Sequence, residues 1–152
     1  MAFVWRLAKA GYASFDGEGA RLYGGRWNHP GIRAVYASES LSLAALEYFV
    51  NLDTDLAPDR LVSLRAEIPR RIEQEIVETG DLPKHWRTCP APEALQDIGT
   101  EWLRRGETAV LSVPSAVVPE ERNYLLNPAH REFSRIRIGR PRPFHFDPRM
   151  RK

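Results

Sequence analysis

The stretch Val35-Tyr-Ala-Ser-Glu-Ser-Leu-Ser-Leu-Ala-Ala-Leu-Glu-Tyr-Phe-Val50 predicts a short β-strand that leads directly into a helix. The apolar residues 35–37 favour the strand, and the mostly apolar residues 41–50 favour the helix. Either Ser38 or Ser40 can cap this helix, because a serine hydroxyl accepts a hydrogen bond from a free backbone N–H of the first turn.

Glu47 is the only ionisable residue of the predicted helix apart from Tyr48. A carboxylate among apolar residues loses hydration, so it requires a partner or a function. One interpretation is a buried salt bridge to Arg6 or Arg26. The other is a carboxylate that acts on a ligand.

Further elements are predicted from local pattern. Val62, Leu64, Ala66 and Ile68 alternate with polar residues, which is typical of a half-buried strand. The predicted elements are a strand at 61–68, a helix at 92–105 that ends at Gly106, and strands at 108–113 and 133–138. Together they predict a single α+β domain over 1–152, with antiparallel strand groups and flanking helices.

The composition is that of an ordinary globular protein. At 152 residues, with 43% hydrophobic and 28% charged, the chain can bury one core and is too apolar for disorder. Residues 1–10 lack the apolar core of a signal peptide, and no stretch is long enough to span a membrane, so a cytoplasmic location without membrane association is expected. Cys89 stands alone and the four histidines are widely spaced, which predicts neither a disulfide nor a metal site.

The basic charge is concentrated near the C-terminal end, although the net charge is only +2. Residues 131–152 contain seven arginines and one lysine against Glu132 and Asp147. Such a segment is either a solvated, partly frayed end or a docking surface for an acidic partner or nucleic acid. The small net charge argues against a protein that binds DNA directly through bulk charge.

The turn Gly24-Gly-Arg-Trp-Asn28 is a candidate anion-binding segment. Its two glycines let a ligand approach the main chain closely, and the planar guanidinium of Arg26 can hold phosphate oxygens with two hydrogen bonds. Trp27 and Tyr36 can offer flat faces to an aromatic ligand. The alternatives are an ordinary surface arginine and two aromatic side chains of the core.

A second polar group follows the strand predicted at 108–113. Ser112 and Ser115 lie close together, and Asn123 comes soon after them. Hydroxyls and amides at strand ends often bind ligands, whereas serine hydrolysis is not favoured because no nucleophile elbow is present. A doubly wound nucleotide fold is not expected either. The run Gly17-Glu-Gly-Ala-Arg-Leu22 lacks the third glycine of a dinucleotide fingerprint, and neither a preceding strand nor a following helix is predicted.

Five blocks of sequence, in order, resemble the RES-domain family. They are Gly24-Gly-Arg-Trp-Asn28, Val35-Tyr-Ala37, Leu41-Ser-Leu-Ala-Ala-Leu-Glu47, Val113-Pro-Ser-Ala116 and Asn123-Tyr-Leu-Leu-Asn-Pro128. The resemblance covers nearly the whole chain. The family takes its name from an Arg, a Glu and a Ser. These match Arg26, Glu47 and Ser115, with Ser112 as the weaker alternative for the serine.

The resemblance implies a toxin of a toxin–antitoxin pair, which forms a hetero-oligomer with an Xre-type antitoxin that carries a helix-turn-helix DNA-binding part. It implies a fold similar to that of ADP-ribosylating toxins, with NAD as the substrate in a cleft between strand groups. The reaction is cleavage of the nicotinamide–ribose bond, with transfer of ADP-ribose to water, phosphate or a protein. The alternative from another class is a non-catalytic module that binds a nucleotide or a partner.

The resemblance also assigns roles to residues. The catalytic set is Arg26, Tyr36, Glu47 and Ser115, and the NAD-binding set is Arg6, Arg26, Trp27, Tyr36, Ser115 and Asn123. In these roles Arg26 anchors the pyrophosphate, Tyr36 stacks near the nicotinamide, and Ser115 bonds to the nicotinamide ribose or amide. Asn51 departs from the pattern, because relatives often have His there, and this departure bears on the choice of acceptor.

Overall fold

In the computed structural model, which describes residues 2–52 and 60–150, eight strands form one mixed sheet. They are β1 (Ala2–Lys9), β2 (Val35–Ser38), β3 (Leu61–Ile68), β4 (Gln74–Ile76), β5 (Val110–Pro114), β6 (Arg122–Leu126), β7 (Arg137–Ile138) and β8 (Arg142–Phe144). Their order is β4-β5-β6-β2-β1-β3-β7, and β8 also pairs with β3. Only β4 and β5 run parallel within this part of the chain. The predicted α+β class with antiparallel strands is confirmed, and the strands join in a single sheet.

The described residues also form three α-helices, none of which is long and apolar enough to cross a membrane. They are α1 (Glu18–Tyr23), α2 (Leu41–Val50) and α3 (Glu93–Arg105). Ser40 caps α2, because its Oγ accepts a hydrogen bond from Leu43 N at 3.1 Å. α3 ends at Gly106 as predicted, in the left-handed conformation with a φ of 61°.

Two apolar clusters cover opposite faces of the sheet. Val110 and Leu126 belong to one cluster, while their neighbours Leu111 and Leu125 belong to the other. Because successive side chains of a strand point to opposite faces, this alternation places one cluster on each face. The second cluster holds three tryptophans together with α3, namely Trp27, Trp86 and Trp102.

Two local predictions are wrong. Residues 131–135 form a 3-10 helix, Arg131–Arg135, and only Arg137–Ile138 of the expected strand at 133–138 is extended. The cause is a local cap, since His130 Nδ1 accepts a hydrogen bond from Glu132 N at 3.0 Å and so starts a turn. The second is the expectation of no helix at the glycine run 17–22, because α1 covers Glu18–Tyr23. The largely antiparallel sheet nevertheless agrees with the rejection of a doubly wound fold.

The basic C-terminal segment is folded over residues 131–150. β7 and β8 both pair with β3, and the ring of Phe146 lies 6.4 Å from that of Tyr48 and 5.8 Å from that of Phe49 on α2. Fraying is therefore wrong for these residues, whereas the solvated part of that interpretation is confirmed, because most of them are exposed. Residues 151–152 lie outside the described part. Its role as a docking surface stays a prediction.

Candidate active site

The carboxylate of Glu47 is held by two neutral donors. Glu47 is half-buried on α2, and its Oε1 accepts hydrogen bonds from Ser115 Oγ and Asn123 Nδ2, each at 2.7 Å. Its Oε2 has no hydrogen-bond partner among the described residues. The partner that an isolated carboxylate requires is thus present, and within this part of the chain it is neither Arg6 nor Arg26.

Ser115 reaches this carboxylate because the loop after β5 fixes it. Its side chain is fully buried, and its Oγ accepts hydrogen bonds from Val117 N at 3.1 Å and Val118 N at 3.0 Å. Ser112 has a different contact, since its Oγ accepts a hydrogen bond from Arg122 Nε at 2.9 Å. The geometry therefore brings Ser115, and not Ser112, to Glu47.

Asn123 is oriented by Ser38, for which the sequence suggests only a possible role as helix cap. It lies on β6 directly opposite Ser38 of β2, and Ser38 Oγ donates a hydrogen bond to Asn123 Oδ1 at 2.6 Å. An amide has one acceptor side and one donor side, so this bond agrees with the donor side facing Glu47. Sequence pattern could not reveal this role, because it leaves open whether Ser38 or Ser40 caps the helix.

The turn at 24–28 needs both of its glycines. Gly24 has a φ of 71°, a conformation that other residues rarely adopt. A Cβ added at Gly25 would lie 2.7 Å from Tyr36 Oη, so only glycine fits beside the phenol. The turn closes with Gly25 N donating to the Asn28 carbonyl at 3.0 Å.

Tyr36 holds this turn through its hydroxyl. The oxygen accepts a hydrogen bond from Trp27 N at 3.0 Å and donates one to Asn28 Oδ1 at 2.6 Å. Burial raises the pKa of Tyr36 above its ordinary range, and the Trp27 N–H and the charge of Arg26 oppose this only in part. The hydroxyl is therefore a protonated donor at neutral pH.

Trp27 packs in the core. Its side chain is 2% exposed and belongs to the cluster that includes α3. In this structure the ring has no accessible face for a ligand, which agrees with the alternative of a core aromatic. A contact of Trp27 with NAD stays a prediction.

Arg26 contacts residues 86–88, which in turn contact the loop after β5 that carries Ser115. Its Nη1 donates to the carbonyls of Trp86 at 3.1 Å and Thr88 at 3.0 Å, while its Nε and Nη2 have no hydrogen-bond partner in the described residues. Between these two carbonyls, Arg87 Nε donates to the carbonyl of Ala116 at 2.8 Å. Residues 86–88 thus link the glycine turn to the loop that carries the serine.

Arg6 lies beside Tyr36 rather than beside Glu47. Its Nη1 donates to the Ser14 carbonyl at 3.0 Å, and burial lowers the pKa of its guanidinium, with Asp16 acting in the opposite sense. A small cavity here is lined by Arg6, Gly17, Gly19, Ala20, Ala34, Val35 and Tyr36. Glu47 does not line this cavity.

The described residues contain one group that could hold a metal ion. The ligand atoms of His29, Glu93 and Asp97 lie within 4.8 Å of one another, and His29 Nε2 is 2.7 Å from Asp97 Oδ1. Histidine spacing alone could not reveal it, because both carboxylates come from α3. The expectation that no metal is bound stays a prediction.

The sequence model of the RES domain family matches residues 3–147. A "Toxin Res" from Yersinia enterocolitica is 40% identical over 151 residues, covering 97% of this chain and 99% of the relative. A "Prs ADP-ribosylating toxin" from Sphingobium sp. is 38% identical over 152 residues, covering 96% of this chain and 94% of the relative.

The fold is similar to that of a chain in the Mycobacterium tuberculosis MbcT–MbcA toxin–antitoxin complex. The TM-score is 0.78 at 15% identity, with 94% of this chain and 84% of the other covered. At that identity the likeness concerns the fold alone. The family match over nearly the whole chain and the two relatives above show that the chain belongs to the RES domain family.

Proposed function

We propose that this chain is the toxin of a toxin–antitoxin pair and that it consumes NAD by cleaving the nicotinamide–ribose bond. The observation that carries the proposal is the Glu47 carboxylate, with Oε1 held by Ser115 and Asn123. No cation pairs with this carboxylate among the described residues, so its negative charge is available to a ligand.

The chemistry of this bond suits such a carboxylate. Positive charge develops on the ribose through a transition state of the oxocarbenium type. A carboxylate near that carbon stabilises the charge more strongly in a half-buried site than in water. Because Ser115 and Asn123 already orient Glu47, little reorganisation is required during the reaction. Nicotinamide leaves as a neutral molecule, so no strong general acid is needed.

The anionic part of NAD is assigned to Arg26, with Arg6 as a second candidate. Arg26 uses only Nη1 for the carbonyls of residues 86 and 88, which leaves two nitrogens for pyrophosphate oxygens. Tyr36 fixes the turn that presents Arg26, and its ring is the candidate surface near the nicotinamide.

The acceptor of ADP-ribose is water or phosphate in the first proposal, and a protein in the second. The relative named as a Prs ADP-ribosylating toxin, at 38% identity, favours keeping the second. Asn51 Nδ2 donates to the Glu47 carbonyl at 2.9 Å, so this residue ties the end of α2 to the turn that carries the carboxylate. A His at this position would change that contact, and for this reason Asn51 is assigned an influence on the acceptor.

The proposed partner is an Xre-type antitoxin in the cytoplasm, joined in a hetero-oligomer that blocks access of NAD near Arg26. Support comes from the similar fold of a chain that was crystallised in a toxin–antitoxin complex. Direct DNA binding and membrane association are not part of the proposal.

The test is to incubate antitoxin-free protein with NAD, with and without phosphate, and to identify products by chromatography and mass spectrometry. We expect free nicotinamide, and the companion product identifies water or phosphate as the acceptor. Glu47→Gln should lower kcat by roughly 10²–10³-fold, because the amide oxygen can still accept both hydrogen bonds while the charge is lost. Glu101→Gln, at an exposed position of α3, is the matched control.

Full activity in Glu47→Gln would contradict the assigned role of the carboxylate. If the wild-type protein binds NAD stoichiometrically in calorimetry but releases no nicotinamide, even with cell extract as a source of acceptor, the chain is a binding module and the proposal is wrong.

A further inference from the structure

We propose that Ser38 is a positioning residue of the candidate active site, which acts on Glu47 through Asn123. This inference rests on the proposed function of the Glu47 site. Ser38 is 4% exposed at the end of β2, and its Oγ lies 2.6 Å from Asn123 Oδ1. Asn123 Nδ2 in turn lies 2.7 Å from Glu47 Oε1. The three side chains form one line of hydrogen bonds from the sheet to the carboxylate.

The direction of these bonds follows from the chemistry of the groups. Towards Glu47 the amide must present its NH2 side, because two facing oxygen acceptors repel each other. The amide oxygen of Asn123 then points to Ser38, whose hydroxyl is the donor that satisfies it. Bonds arranged in such a line polarise one another, so the donor at the far end strengthens the bond to the carboxylate.

The backbone role of Ser38 does not require a hydroxyl. As a strand residue it pairs with Trp5 of β1 and Asn123 of β6 through the main chain. The cap of α2 comes from Ser40, not from Ser38. A buried hydroxyl is costly unless it is hydrogen-bonded, and its bond here leads to Asn123.

The relation of Ser38 to Glu47 is set by the fold. β2 ends at Ser38, and α2 begins at Leu41, so the positioning hydroxyl and the carboxylate belong to one strand–helix unit. Asn123 comes from a different strand, β6, which lies directly against β2. Ser38 therefore fixes the position of Asn123 relative to α2, the helix that carries Glu47.

The test compares Ser38→Ala, Asn123→Ala and the double variant in NAD cleavage. Ser38→Ala should lower kcat about tenfold with little change in KM, since one hydrogen bond is lost and no NAD contact is assigned to the buried Ser38. In the Asn123→Ala background the same change should have no further effect, because its target is gone. Ser63→Ala, at a buried serine of β3, is the control, and Ser38→Thr should restore part of the activity.

A structural role alone would give a different pattern. Equal loss from Ser38→Ala in both backgrounds, or wild-type kcat in Ser38→Ala, would overturn the inference while leaving the proposed function intact. The side-chain amide signals of Asn123 in a ¹⁵N NMR spectrum give a readout independent of turnover. Ser38→Ala should move them and Ser63→Ala should not. If the wild-type protein releases no nicotinamide, the proposed function fails. Asn123 amide signals that do not move in Ser38→Ala would then also refute the inference that Ser38 positions Asn123.

Discussion

The contact between α3 and the glycine turn yields the sharpest prediction about stability. Gly99 lies in the middle of α3, and a Cβ added there would stand 1.8 Å from the carbonyl oxygen of Trp27, where real Cβ atoms essentially never come closer than 3.0 Å. Gln96 and Thr100 bind the same turn, through the carbonyl of Gly25 at 3.2 Å and the N–H of His29 at 2.9 Å. Gly99→Ala must therefore push the helix away from the segment that presents Arg26.

The size of the effect follows from two opposing contributions. Alanine in a helix interior is favoured over glycine by roughly 0.5–1 kcal/mol. Overpacking costs about 1–3 kcal/mol, and here the upper end applies, because the clash is with backbone and no rotamer can relieve it. We expect Gly99→Ala to lower the free energy of unfolding by about 2 kcal/mol, which corresponds to a Tm lower by roughly 4–8 °C for a chain of this size.

The assay is urea and thermal unfolding, with NAD cleavage measured below the transition. Gly19→Ala is the matched control, because Gly19 also lies in a helix and its added Cβ meets no atom within 4 Å. This control should gain up to about 1 kcal/mol. A Gly99→Ala variant as stable as wild type, with a control that behaves as expected, would show that the close packing of α3 on the Trp27 carbonyl is absent in solution.

Three further predictions concern Tyr36 and the two serines, Ser115 and Ser112. Burial raises the pKa of Tyr36, so the folded protein keeps the phenol proton at a pH at which the unfolded chain loses it. The stability that this group contributes is therefore fully present below the ordinary tyrosine pKa of about 10, and it is lost as the pH rises above that value. Urea unfolding should show a smaller loss of stability between pH 9 and pH 11 in Tyr36→Phe than in wild type, and equal slopes would contradict this. Ser115→Ala should lower kcat at least roughly tenfold, since it removes one of the two donors that hold Glu47. Ser112→Ala should instead lower stability by about 1–3 kcal/mol with kcat near wild type, because it leaves the guanidinium of Arg122 short of an acceptor; the opposite pattern in paired kinetics and unfolding would assign the catalytic role to Ser112.

Local sequence pattern predicts the elements whose boundaries are marked by residues within the element or next to it. The helix Leu41–Val50 and the strand Leu61–Ile68 were predicted with their observed bounds, because a capping serine and regular alternation mark them. The strand expected at 133–138 is mostly absent, because the signal that decides this segment is a side-chain contact and not its apolar pattern. A histidine side chain starts a turn there, which apolar content does not reveal. The strands β1, β4, β6 and β8 and the helix α1 were not predicted.

The candidate site shows a similar division. Glu47 and Ser115 were named from their unusual surroundings and from family resemblance, and the fold brings both together with Asn123 across 68 and 76 residues of sequence. Such contacts depend on strand order, which no local pattern contains. Trp27 illustrates the converse, because an aromatic residue in a ligand-like motif and an aromatic residue of the core read identically in sequence.

The order of the strands explains why the polar residues converge. β2 lies between β6 and β1, so Ser38 at the end of β2 lies opposite Asn123 of β6. The chain then continues into α2, which places Glu47 within hydrogen-bond distance of the same Asn123. β5, on the far side of β6, ends in the loop that carries Ser115. Two adjacent strands and the loop after a third thus bring Ser38, Asn123 and Ser115 together. Asn123 and Ser115 contact the carboxylate, and Ser38 contacts Asn123. A substitution that shifts the pairing of β2 with β6 by one residue would turn Ser38 and Asn123 away from each other, because neighbouring side chains point to opposite faces. The pairing of β2 with β6 is therefore the structural requirement on which the proposed chemistry depends most.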